Sequence, residues 1–335
     1  MHTRTLRILL LITFMGILIL DINAAITGAQ EGLELCLKAV IPALFPFFIL
    51  TKLLTSAMEG ESFPILRPIG KLFGIPKGAE FLLLIGLLGG YPVGAQAVTQ
   101  VYKSGNISKT HAHRLLGFCS NAGPSFIFGM MSNLFTAHHI IWFVWLVHIL
   151  SALVVGMITA GQSSSADLKC NKCSISLPQA LERSIKAIAT VCGWVIIFRV
   201  IIKILKDRIL SPLPQMFQII CIGYLELTNG CCELGTLKNE NISFILACAF
   251  LASGGLCILM QTMSVTYGLG LGQYIPGKFL QTLISILFAS VLEHILFPQF
   301  KPIPILIPII CLLMIVVTII VMRKKSSSIM EKCVV

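Results

Sequence analysis

Charge is what this chain has least of. Only 12% of its 335 residues are Asp, Glu, Lys or Arg, and the acids number 14. Soluble domains carry about 25% charged residues, so a chain this poor in charge cannot cover itself with a polar surface. Enzyme signatures are missing as well. There is no HExxH, which a metalloprotease places on a helix, and no GxxxxGK[ST] loop for an ATPase. Neither an enzyme nor a cofactor is therefore expected. The basic residues are scattered between apolar runs and form no single soluble module, which excludes a nucleic-acid partner. The net charge of +11 is read as lysine and arginine in cytoplasmic loops.

What is abundant is apolar surface: 56% hydrophobic residues, with a mean hydropathy of +0.91. Runs at 6–20, 140–160, 244–263, 279–297 and 304–322 approach or exceed the roughly 18 residues that span hydrocarbon. A multi-pass protein of the cell membrane follows, with the lipid bilayer as its first partner. Most of the 12 cysteines, such as Cys36, Cys119, Cys192, Cys248 and Cys257, sit inside apolar runs, where they behave as small hydrophobes. Cys170 and Cys173 form a lone CxxC in a polar loop, which is weak support for a redox or metal role. Cys231 and Cys232 are read as packing residues. The basic, then apolar, start of the chain fits a cleavable signal peptide or a signal-anchor helix; the topology below needs the anchor.

A polar stretch, 161–180, divides the chain into two halves, 1–160 and 181–335, and is expected to be a cytoplasmic linker. Each half runs in the same order: an apolar span, two apolar runs interrupted by Gly, Pro or polar residues, then a clean span. Such a repeat points to a transport site between the halves. The interruptions are Gly89-Gly90-Tyr91-Pro92-Val93-Gly94, Ser120-Asn121-Ala122-Gly123-Pro124, Glu226-Leu227-Thr228-Asn229-Gly230 and Ser253-Gly254-Gly255. Around Gly90 each flank has about ten residues, roughly 15 Å of helix, which is half a bilayer. The predicted fold is an all-α membrane protein with eight spans, broken helices, two re-entrant hairpins and an inverted repeat.

Charge supports a hairpin at 81–101. With Arg4 and Arg7 inside, Glu31 and Glu34 fall in an outer loop and Arg67, Lys71 and Lys77 fall inside. A hairpin keeps Lys103, Lys109 and Arg114 inside as well; a full span would put them outside. The linker with Lys169 and Lys172, and the tail with Arg323, Lys324 and Lys325, are then inside. Lys206 and Arg208 fall outside, so either the fifth span tilts and snorkels them to the interface or its register differs there.

Irregular backbone at membrane depth is tolerated where it is buried in protein or lines a wet cavity. Pro92 and Pro124 read as first residues of half-helices, while Gly90, Gly94, Gly123 and Gly254 permit close backbone approach. Half-helix N-termini at the midplane favour an anion. Ser120, Asn121, Ser125, Thr228, Asn229 and Ser253 add neutral hydrogen-bonding groups. Tyr91 either stacks on a planar ligand or packs beside its turn. Glu226 is the one acid at an interruption: it either serves the ligand or a coupling proton, or pairs with Arg199 or Lys203. His111, His113, His138 and His139 read as loop residues, His148 as a candidate proton relay, and Glu293-His294 as interfacial.

The runs Gly90-Tyr91-Pro92-Val93-Gly94-Ala95 and Phe118-Cys119-Ser120-Asn121-Ala122-Gly123-Pro124 carry a resemblance. So do 42–48 before them and the interruptions at Glu226 and Ser253 after them. The chain resembles the YlbJ-type sporulation integral membrane proteins, grouped with nucleoside-recognition gate-domain proteins and distantly similar to concentrative nucleoside transporters. The resemblance implies a membrane protein of endospore-forming bacteria, in the mother-cell or outer forespore membrane, that moves dipicolinate. The family pattern has Lys after its Gly-Tyr-Pro-Val-Gly-Ala run and Asn-Asn before Ala-Gly-Pro; here Gln96 and Ser120-Asn121 stand in those places. The expectation is thus a secondary transporter of a small organic anion, with a proton or sodium as candidate coupling ion. A nucleoside transporter and a non-transporting assembly factor for spore maturation are the alternatives.

Overall fold

The computed structural model describes residues 2–59, 61, 63–160 and 175–334, and among these every regular element is helical. The CxxC, Lys169 and Lys172 lie outside the described residues, as do the side chains of Arg4, Arg7 and Arg323 to Lys325. The first half starts with α1 (His2–Leu20) and α2 (Ile22–Leu35). A π-turn at Cys36–Val40 joins α2 to α3 (Ile41–Met58). Next come the short α4 (Arg67–Leu72) and the pair α5 (Phe81–Leu88) and α6 (Val93–Lys103). A second pair, α7 (Lys109–Leu116) and α8 (Pro124–Met130), leads to the unbroken α9 (Ile140–Ile158). The second half begins with α10 (Leu177–Leu205), extended by a π-turn at Lys206–Leu210. It continues with the pair α11 (Gln215–Leu225) and α12 (Leu227–Leu234), the pair α13 (Glu240–Ser253) and α14 (Gly255–Val265), and the unbroken α15 (Tyr274–Leu296). The last helix is α16 (Leu306–Val334).

The interruptions anticipated from sequence fall between paired helices. Gly89 to Pro92 separate α5 from α6, and 117–123 separate α7 from α8. Glu226 alone separates α11 from α12; Gly254, at φ +72°, ends α13 in the left-handed region that glycine tolerates. Pro124 is the first residue of α8, but Pro92 sits one place ahead of α6, as its cap. Among the described residues, five helical stretches are long and apolar enough to cross a membrane: Ile22–Met58, Ile140–Ile158, Leu177–Leu210, Glu240–Val265 and Tyr274–Leu296.

Residues 21–38, expected as an outer loop, are helical instead. They extend α3 backwards into a rod of 37 residues, about 55 Å long. Of the two acids that suggested a loop, Glu34 is paired with Lys38 of its own helix and Glu31 is held by the opposite helix. Glu31 pairs with Arg199 of α10 at 2.7 Å, and Asp21 takes two hydrogen bonds from Arg208. On either side of the Glu31–Arg199 pair the helices touch backbone to backbone. A Cβ on Gly28 would lie 2.9 Å from Val200 Cα, and one on Gly32 would lie 3.0 Å from Ile196 Cα. Small residues four apart let membrane helices approach this closely. Arg208 and Lys206, the candidates for snorkelling, are therefore paired, the latter with Glu233 at 2.6 Å.

Two further expectations change. His111 and His113 lie on α7, and His113 Nε2 is 2.9 Å from the Leu269 carbonyl. Glu293 is buried, whereas His294, one position along the helix, is exposed. The Glu293 carboxylate accepts from Asn241 Nδ2 at 3.1 Å and the Ile303 amide at 2.7 Å. Those donors replace water, so the acid has no need of the interface.

Candidate functional site

The four interruptions converge. A Cβ on Gly123 would lie 3.0 Å from Gly90 Cα, so the first and second pairs meet backbone to backbone. A Cβ on Gly254 would lie 3.4 Å from Tyr91 Cζ, and Tyr91 Oη donates to the Leu251 carbonyl at 3.0 Å. Gly255 stands against the Gly223 and Tyr224 carbonyls at the end of α11. At the meeting point is a cavity of about 30 Å³, lined by Tyr91, Ala122 and Gly123 from the first half and Glu226, Thr228 and Gln261 from the second. That volume has room for two or three waters at roughly 10–15 Å³ each.

On one wall Glu226 caps α12 from within the chain. Its carboxylate accepts from the Thr228 amide at 3.1 Å, the Asn229 amide at 2.7 Å and Asn229 Nδ2 at 2.6 Å. An acid at this position meets the free N–H groups and positive end of the helix. Neither Arg199 nor Lys203 pairs with it directly. Instead Arg199 Nη1 donates to Asn229 Oδ1 while its other nitrogens hold Glu31. Glu226, Asn229, Arg199 and Glu31 thus form a continuous polar chain. It leads from the central cavity to a second, open cavity of about 360 Å³ lined by Arg199, Lys203, Lys206, Glu31 and Asp207.

Across the centre lies a residue absent from the sequence expectation. Lys278, on the first turns of α15, is 4% exposed. Its Nζ donates to Gln281 Oε1 at 2.7 Å, Tyr91 Oη at 3.0 Å and Asn121 Oδ1 at 3.1 Å. It also stands 5.0 Å from the centroid of the Tyr91 ring. Asn121 is oriented by its own amide, which donates to the Gly86 carbonyl at 3.2 Å and the Phe118 carbonyl at 2.7 Å. Gln281 is oriented likewise, donating to Asn121 Oδ1 and the His148 carbonyl. His148 Nε2 accepts from the Ala122 amide at 3.0 Å and so steadies the second interruption; its Nδ1 is buried with no partner among the described residues. At the position where the family pattern has lysine, Gln96 instead accepts from Lys52 Nζ at 2.9 Å.

The remaining expected site residues fall into two groups. Gly90, Tyr91, Gly123, Glu226 and Thr228 lie at the cavity or its rim, with Gly254 against Tyr91; Asn121 and Asn229 stand behind its two walls. Others point elsewhere. Ser253 Oγ donates to the Phe250 carbonyl of its own helix at 3.0 Å, and Ser125 is half-buried away from the cavity lining. Gly94 packs tightly on the Cys119 carbonyl, and Pro92 is buried at the cap of α6. Ser120 Oγ is buried with no partner among the described residues.

No family model matches the chain, and no solved structure matches it. It is similar to the sporulation integral membrane protein YlbJ of Bacillus subtilis (strain 168), at 33% identity over 115 residues. That match covers 33% of this chain and 28% of the Bacillus protein, so it spans little more than a quarter of the relative's length. Apolar helices that cross repeatedly, and likeness to a sporulation integral membrane protein, make this a multi-pass membrane protein.

Proposed function

We propose that the chain is a secondary transporter of a small organic anion in sporulation, with dipicolinate as its substrate. The observation that carries this reading is the meeting of four helix interruptions, two from each half, at a buried centre beside Lys278, which has no carboxylate partner among the described residues. Broken helices at membrane depth are how secondary transporters build midplane sites. The element order supports an inverted repeat. Helix α3, the pairs α5–α6 and α7–α8, and α9 correspond to α10, the pairs α11–α12 and α13–α14, and α15. The pairs α5–α6 and α11–α12 are the re-entrant hairpins of this scheme. Their arms have 8 to 11 residues, about 12–17 Å, and no single arm reaches across hydrocarbon.

In this conformation the central cavity is too small for a dicarboxylate, so the state is closed. Alternating access then separates the arms of one half from those of the other, first toward one side and then the other. Glu226 is the carboxylate placed to bind a coupling proton or sodium ion, reached along the Arg199 chain. With one acid at the centre, the site offers no second carboxylate for a ribose, and the nucleoside reading has no specific support. The membrane in this reading is the mother-cell or outer forespore membrane, as the family resemblance of the sequence motifs implies.

The test is dipicolinate uptake into liposomes holding the purified protein, under proton and sodium gradients. Wild-type uptake that Asn121→Ala abolishes and Glu226→Gln uncouples from the gradient supports the reading. Folded wild-type protein that takes up no dipicolinate under either gradient refutes it.

A further inference from the structure

We infer that Lys278 pairs with a carboxylate of the transported anion, and that Tyr91 is the shutter standing between it and the central cavity. The inference rests on the transporter reading and names the residue that would recognise the substrate's charge.

The starting observation is a mismatch between charge and surroundings. Lys278 is buried in the middle of the molecule, and no carboxylate pairs with it among the described residues. Its three partners are neutral oxygens, one each for the three N–H bonds of an ammonium group. These oxygens are fixed as acceptors. Tyr91 gives its own proton to Leu251, while the amides of Asn121 and Gln281 are spent on other carbonyls. A polar staple between α15 and the interruptions needs no charge, since a neutral donor would serve. A cation held this way in a membrane interior carries a desolvation cost with no counter-ion to offset it. Intramembrane ionisable groups of this kind mark substrate pathways. An arriving anion supplies the missing partner.

The route to Lys278 is also defined. Of its three oxygen partners, only Tyr91 also lines the central cavity; Asn121 and Gln281 lie behind that surface. A ligand in an enlarged cavity therefore reaches Nζ by taking the place of the Tyr91 hydroxyl. Turning Tyr91 aside breaks its bonds to Lys278 and Leu251; a carboxylate replaces the first with a shorter, charge-assisted bond, and the Leu251 carbonyl is left to another donor. The displaced ring lies beside the cavity, where it can cover one face of a planar ligand. Gly254, packed against the Tyr91 ring, leaves no side chain to obstruct it from the second half.

The experiment measures binding to the purified full-length protein by titration calorimetry, with dipicolinate and its neutral diamide as probes. Lys278→Gln is expected to weaken dipicolinate by about 30-fold or more, as for a broken buried charge pair. The same change should shift diamide affinity by less than about threefold. Tyr91→Phe keeps the ring and frees one donor of Lys278, and should tighten dipicolinate about three- to tenfold. Equal losses for both probes in Lys278→Gln would make Lys278 a structural staple and overturn its assignment. Weaker or unchanged dipicolinate binding in Tyr91→Phe overturns the shutter, and this variant remains informative if Lys278→Gln does not fold. Wild-type protein that binds neither probe and shows no uptake fails at the earlier step: the dipicolinate reading falls, and the pairing falls with it.

Discussion

Replacing Gly86 by alanine should loosen the centre from a distance. Gly86 is buried in α5, facing the interruption between α7 and α8. A Cβ there would lie 2.6 Å from both Cys119 Cα and the Cys119 carbonyl oxygen, and 2.7 Å from its carbonyl carbon. These are backbone atoms, so no side chain can swing aside. Carbon–oxygen contacts settle near 3.3 Å, so the two segments must part by about 0.7 Å. Overpacking of this kind costs about 1–3 kcal/mol, while alanine's better helix propensity returns about 0.5–1 kcal/mol. The net loss is about 1 kcal/mol and at most about 2.5 kcal/mol, or about 1–4 °C in the unfolding midpoint for a chain of this size. Gly129→Ala is the control: Gly129 is helical and has nothing within 4 Å of its would-be Cβ, so propensity alone should raise stability by about 0.5 kcal/mol. The assay is thermal unfolding in detergent, read by a thiol-reactive dye, since Cys36, Cys119, Cys248 and Cys257 are free and buried. The Gly86 carbonyl also accepts from Asn121, so parting the segments should lower dipicolinate uptake as well. A Gly86→Ala protein as stable as Gly129→Ala would refute the packing argument.

Two further outcomes concern α10. Arg199→Ala should cost more than Glu31→Ala, by about 1 kcal/mol or more, because Arg199 also holds Asn229 and through it Glu226. A double-mutant cycle should give the partly exposed Glu31–Arg199 pair only about 0.5–1 kcal/mol; zero coupling would remove it as a tie between α2 and α10. Ser176 and Gln179 form a capping box at the start of α10. Ser176→Ala should cost about 1 kcal/mol in unfolding free energy and Ser176→Thr far less, so equal effects of the two would discount the cap.

The interruptions were legible because apolar spans offer little else for glycine, proline or asparagine to do. Gly90 with Pro92, Asn121 with Gly123, Glu226 and Gly254 each mark a place where the helix ends. Their convergence follows from irregular backbone needing protein around it. Lys278 was hidden by its position just ahead of the apolar run at 279–297, where a lysine reads as a flanking residue. A signal was nonetheless present. Lys278, Gln281, Thr282 and Ser285 recur at spacings of three, four and seven, a polar stripe along an apolar helix, and all four are buried. In a membrane such a stripe faces protein and not lipid. The helix over 22–38 was obscured by Glu31 and Glu34, which suggested a solvated loop. The pair Gly28 and Gly32, four residues apart, was the counter-signal. Partners such as Arg199 for Glu31, 168 positions apart, have no local trace at all.

The π-turn at Cys36–Val40 makes the spacing between Gly32 and Leu44 a matter of phase. A π-turn holds one residue more than the α-helical path requires. Deleting one residue there, Ala39 for instance, would restore regular helix and leave the phase of everything beyond it nearly unchanged, whereas deleting two would rotate it by about 100°. With two deleted, the stripe Leu44, Phe48, Thr51, Lys52 and Thr55, now buried, would swing away from the first broken pair, taking the Lys52 bond to Gln96 with it. Upstream, Gly28 and Gly32 would keep their grip on α10. The rod thus joins two faces cut to different partners, and the π-turn absorbs one residue without changing the angle between them. Chain length between the two faces can fall by one residue at this turn, but not by two.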